Sequence, residues 1–292
     1  MLDRPVCLIV NPSAGGGRAG RLLAGVEAEL RGLGASFRVE RTSSMDHARE
    51  LARGARDAGE LVAAMGGDGL TGAVAGELRG GAAPLAVLPG GRGNDFARKL
   101  GIPHDPVAAC ALLIEGRERR IDLAEVAGRC FVGILSAGFD SDVNEIANSS
   151  RLRLGTQVYL YATLRALASW RPARWQVAVD GERREFVGYS VAVANSGVYG
   201  GGMWLVPDAQ LDDGRLDVVL LSDFPKRRAL PLLAKVFKGD HVREPGFEFL
   251  SGREIEFAAD RPFTAFADGD PIADLPATVR VLPGALRVVA PA

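Results

Sequence analysis

Apolar residues in the first 120 positions follow two alternating patterns. Short, nearly continuous runs, Pro5 to Val10, Leu61 to Met65 and Leu85 to Leu88, with a more mixed one at Ser36 to Glu40, predict strands. Between them, apolar residues recur every three or four positions, up to about Leu33 and over Met45 to Ala58, which predicts helices. Continuous apolar strands are those buried on both faces. Their alternation with helices implies right-handed crossovers and a mainly parallel sheet covered on both sides. After Arg120 the pattern changes. Ile121 to Val126, Arg129 to Leu135, Trp175 to Val179, Arg184 to Ala194, Leu216 to Leu221, Glu254 to Phe257 and Phe263 to Ala267 read as strands. Asp180-Gly181 and Asp213-Gly214 mark turns between them. Most links are too short for crossover helices, so an antiparallel β-sandwich is expected. Helical stretches interrupt it at Leu154 to Trp170 and Lys226 to Lys238. The last run, Ala285 to Ala290, suits either sheet.

The patterns predict an α/β plus β chain, with an α/β domain over residues 1–121 and a β-sandwich domain over 122–281. The 292 residues are enough for two cores. With a net charge of −1 and 24% charged residues, bulk electrostatics gives no reason to expect nucleic acid as a partner. Cys7, Cys110 and Cys130 sit in apolar contexts without metal-ligand spacing, so they are expected as buried, reduced thiols and no zinc site is supported. No apolar run approaches the ~20 residues of a membrane span, and the chain enters a strand at once. A cytoplasmic protein, at most peripheral to a membrane, is the expectation.

Many of the 37 glycines gather just after predicted strands, at the sheet edge where open α/β folds take ligands. Gly66-Gly67-Asp68-Gly69 follows the third strand. Glycines there let backbone N–H groups approach a ligand, and a helix beginning at the loop adds its N-terminal donors, which favour phosphate. Asp68 beside an anion calls for a divalent cation or a hydroxyl between them, the arrangement of phosphoryl transfer. A tight turn with an Asp cap explains the same four residues more plainly. Gly15-x-Gly17-x-x-Gly20, with Glu40 about twenty residues on, matches a dinucleotide-binding fingerprint. However, Asn11-Pro12-Ser13-Ala14 separates it from its strand, and close helix packing is the alternative. A Walker A loop fails because Arg21-Leu22 stands where Lys-Ser/Thr is needed.

Asn11-Pro12-x-Ala14-Gly15, Gly66-Gly67-Asp68-Gly69 and Pro89-Gly90-Gly91-x-Gly93-Asn94-Asp95-Phe96-Ala97 form a set far more specific than any one of them. With Ala137-Gly138-Phe139-Asp140, Pro207-Asp208-Ala209, Asp213-Gly214-Arg215-Leu216-Asp217 and Asp268-Gly269-Asp270, the chain resembles the diacylglycerol kinase catalytic family nearly end to end. That family includes bacterial soluble lipid kinases, sphingosine kinases and ceramide kinases. The resemblance implies a nucleotide-binding α/β domain, a lipid-binding β-sandwich, an active site in the cleft between them, and a last strand, within 282–292, returning to the first domain. It implies ATP and Mg2+ as cofactors. By position, Asn11, Thr42, Gly66, Gly67, Asp68, Gly69, Gly91, Arg92 and Asn94 resemble the ATP-binding residues, and Asp68 and Asp95 the acidic pair that organises magnesium. Asp213, with the backbone carbonyls of Gln210 and Arg215, resembles a second, structural magnesium position whose plain alternative is an Asp-Gly turn. Asp270 matches the general base, a Glu in bacterial relatives, with Asp68 as the competing base.

Relatives often read Thr, then Leu-Asn-Glu, where this chain has Leu70, Thr71, Gly72 and Ala73, so a hydroxyl, an amide and a carboxylate are missing near the phosphate edge. Arg92 stands where many have Thr and offers a guanidinium for phosphate. The reading is an ATP-dependent kinase acting on a lipid hydroxyl, with diacylglycerol or a related glycerolipid as substrate. An NAD-kinase-like enzyme and a non-catalytic lipid- or nucleotide-binding relative are the alternatives. The expected partners are the lipid, the membrane surface that holds it, and a second copy of the chain in a homodimer. Trp170, Arg171, Arg174, Lys226, Arg227 and Arg228 are the candidate docking surface.

Overall fold

The computed structural model describes residues 4–150 and 157–292. It divides into two compact units. The first comprises the chain up to Leu123 with Cys130–Val132 and Pro283–Ala292; the second comprises Ala124–Arg129 and Gly133–Leu282.

The first unit alternates β1 (Val6–Val10), α1 (Ala14–Gly32), β2 (Phe37–Arg41), α2 (Met45–Asp57), β3 (Leu61–Gly66), α3 (Asp68–Leu78) and β4 (Leu85–Pro89). Three short helices follow: α4 (Asp95–Lys99), α5 (Pro106–Ala109) and α6 (Leu112–Glu115). The strands lie in the order β4-β3-β1-β2, all parallel. Every residue of β1 is fully buried, as its unbroken apolar run requires, whereas β2 at the sheet edge alternates between half-buried and exposed positions. On α1 the buried residues Ala19, Leu23, Val26 and Leu30 recur every three or four positions and form the face laid on the sheet. Ser44 starts α2 by accepting the N–H of His47. Within this unit, Val288 near the end of the chain pairs in parallel with Leu85 of β4.

The second unit follows β5 (Arg117–Val126). One strand was expected over Arg129 to Leu135, but two are found, β6 (Arg129–Phe131) and β7 (Ile134–Gly138). The break has a local cause: the Gly133 N–H leaves the ladder to donate to Asp268 Oδ1 at 2.8 Å. Next come α7 (Phe139–Ser149), α8 (Gln157–Ser169), β8 (Ala173–Val179), β9 (Glu182–Ala194), the small hairpin β10 (Val198–Tyr199) and β11 (Met203–Trp204), and β12 (Leu216–Ser222). The unit continues through α9 (Ala229–Lys238), β13 (Phe247–Gly252), β14 (Glu254–Ala259), β15 (Thr264–Ala267), β16 (Asp270–Asp274) and β17 (Ala277–Ala290), whose last part is the segment noted beside β4. Residues 154–156, the start of the helix expected over Leu154 to Trp170, lie outside the described residues. The strand order is β16-β15-β7-β9-β8-β14-β17, with β12 pairing β9 and β13, and these pairings are antiparallel.

Two expectations are corrected. Trp170 is 4% exposed and belongs to the core, edge-on to Phe139, stacked on Tyr189 and covered by the Arg261 guanidinium, so it takes no part in an exposed docking surface. Cys130 is half-buried, and Arg79 donates to its sulfur at 3.4 Å. Cys7 and Cys110 are buried as expected, and burial pushes their thiols up to about 11 and about 12. Among the described residues no helix is long and apolar enough to cross a membrane.

Candidate active site

The parallel order β4-β3-β1-β2 brings four strand ends to one edge of the first unit, and backbone hydrogen bonds continue one residue beyond the ladder. Asn11 N–H donates to Met65 O, Thr42 N–H to Val10 O, and the N–H groups of Gly90 and Gly91 to Gly66 O, at 2.8 to 3.0 Å. Asn11, Thr42, the Gly66 to Gly69 loop and the Gly91 to Asn94 loop are therefore neighbours along that edge. The first glycine loop explains its own composition. Gly15 has φ +60°, and a Cβ there would lie 2.5 Å from Gly90 O, so the loop packs directly on the loop after β4. Gly20 comes within 3.0 Å of Pro12 O in the same sense. The close-packing reading of these glycines accounts for what is seen.

Asp68 opens α3, with Gly67 as the residue before it. Its carboxylate accepts the Phe96 N–H at 3.0 Å and binds further backbone amides at the start of α4, so it joins the loops after β3 and β4. Burial pushes the carboxyl above the ordinary carboxylate range, and those amide donors oppose the shift by favouring the ionised form. Asp95 is 7% exposed. The space between the two acids is marked by Gly93, where a Cβ would stand 3.0 Å from Asp95 Oδ2 and 3.2 Å from Asp68 Oδ2. Both carboxylates thus face one point that a missing side chain leaves open. Such a point suits a divalent cation, which takes carboxylate oxygens at ~2.0–2.6 Å and brings phosphates as its remaining ligands.

Asn94 is a brace. It is 5% exposed in a left-handed conformation; its Oδ1 accepts the Gly91 N–H at 2.8 Å and its Nδ2 donates to Gly91 O at 3.2 Å. Gly91 tolerates no side chain, because its Cβ would lie 2.4 Å from Gly67 Cα. Arg92 is exposed at the tip of this loop. Sequence reasoning missed Arg18, which donates to Pro89 O and His104 O at 3.1 Å and ties α1 to the end of β4. The unusual Leu70 is 1% exposed and folds onto Gly66, where a Cβ would meet its Cδ2 at 2.6 Å. Thr71 is buried too and donates to Gly67 O at 3.2 Å. Leu70 has therefore exchanged a polar group for packing worth about 1.5–3 kcal/mol.

In the second unit, Asp213 is exposed and accepts the Arg215 N–H at 2.9 Å, an Asp turn, while Gln210 donates its side-chain amide to Asp208 O at 3.2 Å. Among the described residues no three His, Cys, Asp or Glu side chains cluster as metal ligands, so a cation at Asp213 depends on backbone carbonyls. Asp270 is exposed at the start of β16. The turn before it has φ +53° at Asp268 and +92° at Gly269, and Asp268 is anchored to Gly133 N–H.

The same unit holds a small, partly open apolar cavity of about 80 Å³ between α8, α9 and the strands beneath them. One carboxyl opens on it, Asp140, which takes hydrogen bonds from the hydroxyls of Ser190 and Tyr199 and is pushed up to about 6 by burial. Gly138 places it: β7 ends there with φ +107°, and a Cβ would lie 2.4 Å from Tyr189 O, so only glycine permits the turn into α7. The sequence singled out Gly138-Phe139-Asp140 without assigning it a role.

Comparison with known proteins matches both halves of this architecture. Residues 5–126 fit the model of the diacylglycerol kinase catalytic domain, and residues 133–290 fit the YegS C-terminal NAD kinase beta sandwich-like domain. A protein named diacylglycerol kinase from Mycobacterium tuberculosis is 32% identical over 295 residues, covering 98% of this chain and 95% of its own. A "Probable lipid kinase YegS-like" from Pseudomonas aeruginosa is 35% identical over 271 residues, covering 91% and 88%. A crystal structure described as a diacylglycerol kinase from Bacillus anthracis superposes with a TM-score of 0.76 at 21% identity, over 98% of this chain and 97% of that one, and supports the fold. With glycine loops gathered along one strand edge, two carboxylates facing one point, and matches spanning both units, the chain belongs to the diacylglycerol kinase catalytic family and is a lipid kinase.

Proposed function

We propose that this lipid kinase uses ATP with magnesium and transfers the γ-phosphate to a hydroxyl of a glycerolipid, diacylglycerol or a close relative. The observation that carries the reading is the convergence of Asp68 and Asp95 at Gly93, beside four loops that meet along the same sheet edge. Gly66, Gly67, Gly69 and Gly91 admit phosphate to the backbone, Asn11, Thr42 and Arg92 surround the nucleotide, and Asn94 keeps the Gly91 turn in shape. Asp68 and Asp95 hold the magnesium, which when bound neutralises charge on the phosphates. Asp270, presented by the Asp268-Gly269 turn, accepts the proton of the lipid hydroxyl. Asp213, with the carbonyls of Gln210 and Arg215, holds a second magnesium that stabilises its turn.

The apolar cavity supports a lipid as acceptor, since nothing about a polar small-molecule acceptor calls for walls of Leu and Val. The surface of the second unit supports a cytoplasmic enzyme that docks reversibly on the membrane. Tyr161 and Leu164 on α8 and Leu230 and Phe237 on α9 are 40–49% exposed. Basic Lys226 and Arg227 precede α9, and Lys226 donates to Ala168 O near the end of α8 at 3.1 Å. Each basic group near an anionic surface contributes about 1 kcal/mol. The test is turnover of Mg-ATP by the purified chain against diacylglycerol, monoacylglycerol, sphinganine and phosphatidylglycerol in mixed micelles. Phosphorylated glycerolipid is expected; ATP turnover without a phosphorylated lipid, or a sphingoid base as the only acceptor, overturns the reading.

A further inference from the structure

The hairpin that carries Asp270 is tied down more firmly than a turn at a sheet edge requires. β16 ends the strand order of its sheet. It is joined to β15 by only Asp268 and Gly269, whose φ of +53° and +92° make a two-residue turn that an Asp-Gly pair favours. Such a turn needs nothing further from the Asp side chain. Here the carboxylate reaches across to β7. β15 pairs with β7 through Phe266 with Ser136 and Ala267 with Leu135, and where that ladder runs out Asp268 Oδ1 accepts the Gly133 N–H at 2.8 Å. Gly133 is fixed from its other side too, its carbonyl accepting the N–H groups of the buried Asn195 and Ser196 at 2.9 and 3.2 Å. No side chain fits there, since a Cβ on Gly133 would lie 2.4 Å from Asp268 Oδ1. Beyond the turn, Arg129 donates to Pro271 O at 3.2 Å, and Pro271 confines the backbone of Asp270 to extended conformations. Restraints thus bracket one exposed carboxylate, that of Asp270.

We propose that Asp268 is a positioning residue for Asp270: by accepting the Gly133 N–H it anchors the edge hairpin to β7 and so fixes where the Asp270 carboxylate stands. The inference rests on the reading of Asp270 as the acceptor of the lipid hydroxyl's proton and deepens it by naming what holds that group. An edge strand has a hydrogen-bonded neighbour on one side only, and a displacement of ~1 Å at a reacting centre costs about 10²-fold in rate. A base at the tip of an edge hairpin therefore gains from an anchor. The donor is a neutral amide, so what the anchor requires of residue 268 is an acceptor oxygen on a left-handed backbone. Asn offers both, Gly only the backbone, and Ala neither.

The test measures phosphorylation of diacylglycerol in mixed micelles by the full chain with Mg-ATP. Asp268→Gly and Asp268→Ala should lower kcat by roughly 10- to 100-fold and leave the KM for Mg-ATP unchanged. Asp268→Asn should stay within about 5-fold of wild type, the difference between a charged and a neutral acceptor. Gly133→Ala, which displaces the carboxylate without altering it, should repeat the Asp268→Gly result and replaces it if that variant does not fold. In the Asp270→Asn background Asp268→Gly should cost nothing further, because residues that act as a unit are not additive. A merely structural turn would lose turnover in both backgrounds. Three results overturn the inference and leave the base reading intact: wild-type kcat in folded Asp268→Gly while Asp270→Asn loses it, a loss in Asp268→Asn as deep as in Asp268→Gly, or losses that multiply in the double variant. A wild type that phosphorylates no lipid, or an Asp270→Asn with normal turnover, removes the base reading and this inference with it. Hydrogen exchange of the Gly133 amide reads the anchor without turnover: it should be slow in wild type and Asp268→Asn and faster by roughly 10-fold or more in Asp268→Gly. Equal exchange in all three overturns the proposal whatever the rates of phosphorylation.

Discussion

Alanine at Gly93 adds one methyl group at the point that the two carboxylates share. Gly93 is not among the positive-φ glycines, so the backbone accepts a side chain without strain. The new Cβ would stand 3.0 Å from Asp95 Oδ2 and 3.2 Å from Asp68 Oδ2, closer than ordinary contact, so each carboxylate must retreat by a few tenths of an ångström. Asp68 has little freedom to do so, because Phe96 N–H holds its other oxygen. A misplacement of ~1 Å at a reacting centre costs about 10²-fold. A smaller displacement combined with a methyl in the cation's place should lower Mg-ATP turnover by roughly 10- to 100-fold. No buried hydrogen bond is lost, so stability should change by under ~1 kcal/mol, a melting shift of less than about 4 °C. Gly91→Ala is the contrasting case. Its Cβ would lie 2.4 Å from Gly67 Cα, backbone against backbone, so overpacking of about 1–3 kcal/mol should lower the melting temperature with or without ligand. Melting curves with and without Mg-ATP, and initial rates against magnesium concentration, separate the two. If folded Gly93→Ala keeps wild-type turnover and magnesium response, the shared cation position between Asp68 and Asp95 is refuted.

Three further outcomes are expected. Asp140 has its carboxyl raised from 3.8 to about 6 in the folded chain, so the stability it contributes is full below pH 3.8 and is lost as pH rises through about 6. Asp140→Asn should therefore gain stability over wild type at pH 8 and not at pH 3.5, by at most about 3 kcal/mol at ~1.4 kcal/mol per pKa unit, and an equal difference at both pH values in urea titrations would contradict this. Without nucleotide, magnesium should raise the melting temperature of wild type by more than that of Asp213→Ala, by linkage of binding to folding; equal stabilisation of both moves the second cation elsewhere. Sedimentation with vesicles should show binding that grows with anionic lipid and falls with salt, and that weakens in Leu230→Ser with Phe237→Ser; indifference to all three removes the α8 and α9 surface from membrane docking.

Much of the first unit was legible because strands buried on both faces leave continuous apolar runs, and because phosphate-binding loops are local in sequence. The second unit hid more. Helix α7 went unread because Asp140, Ser141, Asp142 and Glu145 leave a thin apolar stripe of Phe139, Val143 and Ile146, of which the last two pack on Val158 and Ala162 of α8. The last run was read only over Ala285 to Ala290, yet β17 extends from Ala277 through Pro283-Gly284 to Ala290, the Gly284 N–H being taken up by Asp122 Oδ1 at 2.7 Å. Trp170 lies next to Arg171 in sequence, which suggested a basic, aromatic surface; the fold turns the indole inward and leaves the arginine out. Asn94 was read by position as a nucleotide contact, and the left-handed turn it closes becomes visible only with the Gly91 backbone in place. The cavity at Asp140 was beyond reach for a further reason, since its wall joins α7, α8, β9, β10 and α9, segments separated by many tens of residues.

The central claim is that the cradle organised by Asp68 and Asp95 passes the γ-phosphate of ATP to a lipid hydroxyl. Its most direct test follows label from γ-labelled ATP into the organic extract of glycerolipid micelles, for wild type, Asp68→Asn and Asp270→Asn side by side. Positioned acids and bases contribute ~10²- to 10⁴-fold. The account predicts magnesium-dependent labelling of lipid by wild type, a loss of that size in both variants, and retained ATP binding in Asp270→Asn. Near-normal transfer by Asp270→Asn alone would move the base to Asp68. Label released only as inorganic phosphate, or lipid labelled equally by wild type and Asp68→Asn, would contradict the account.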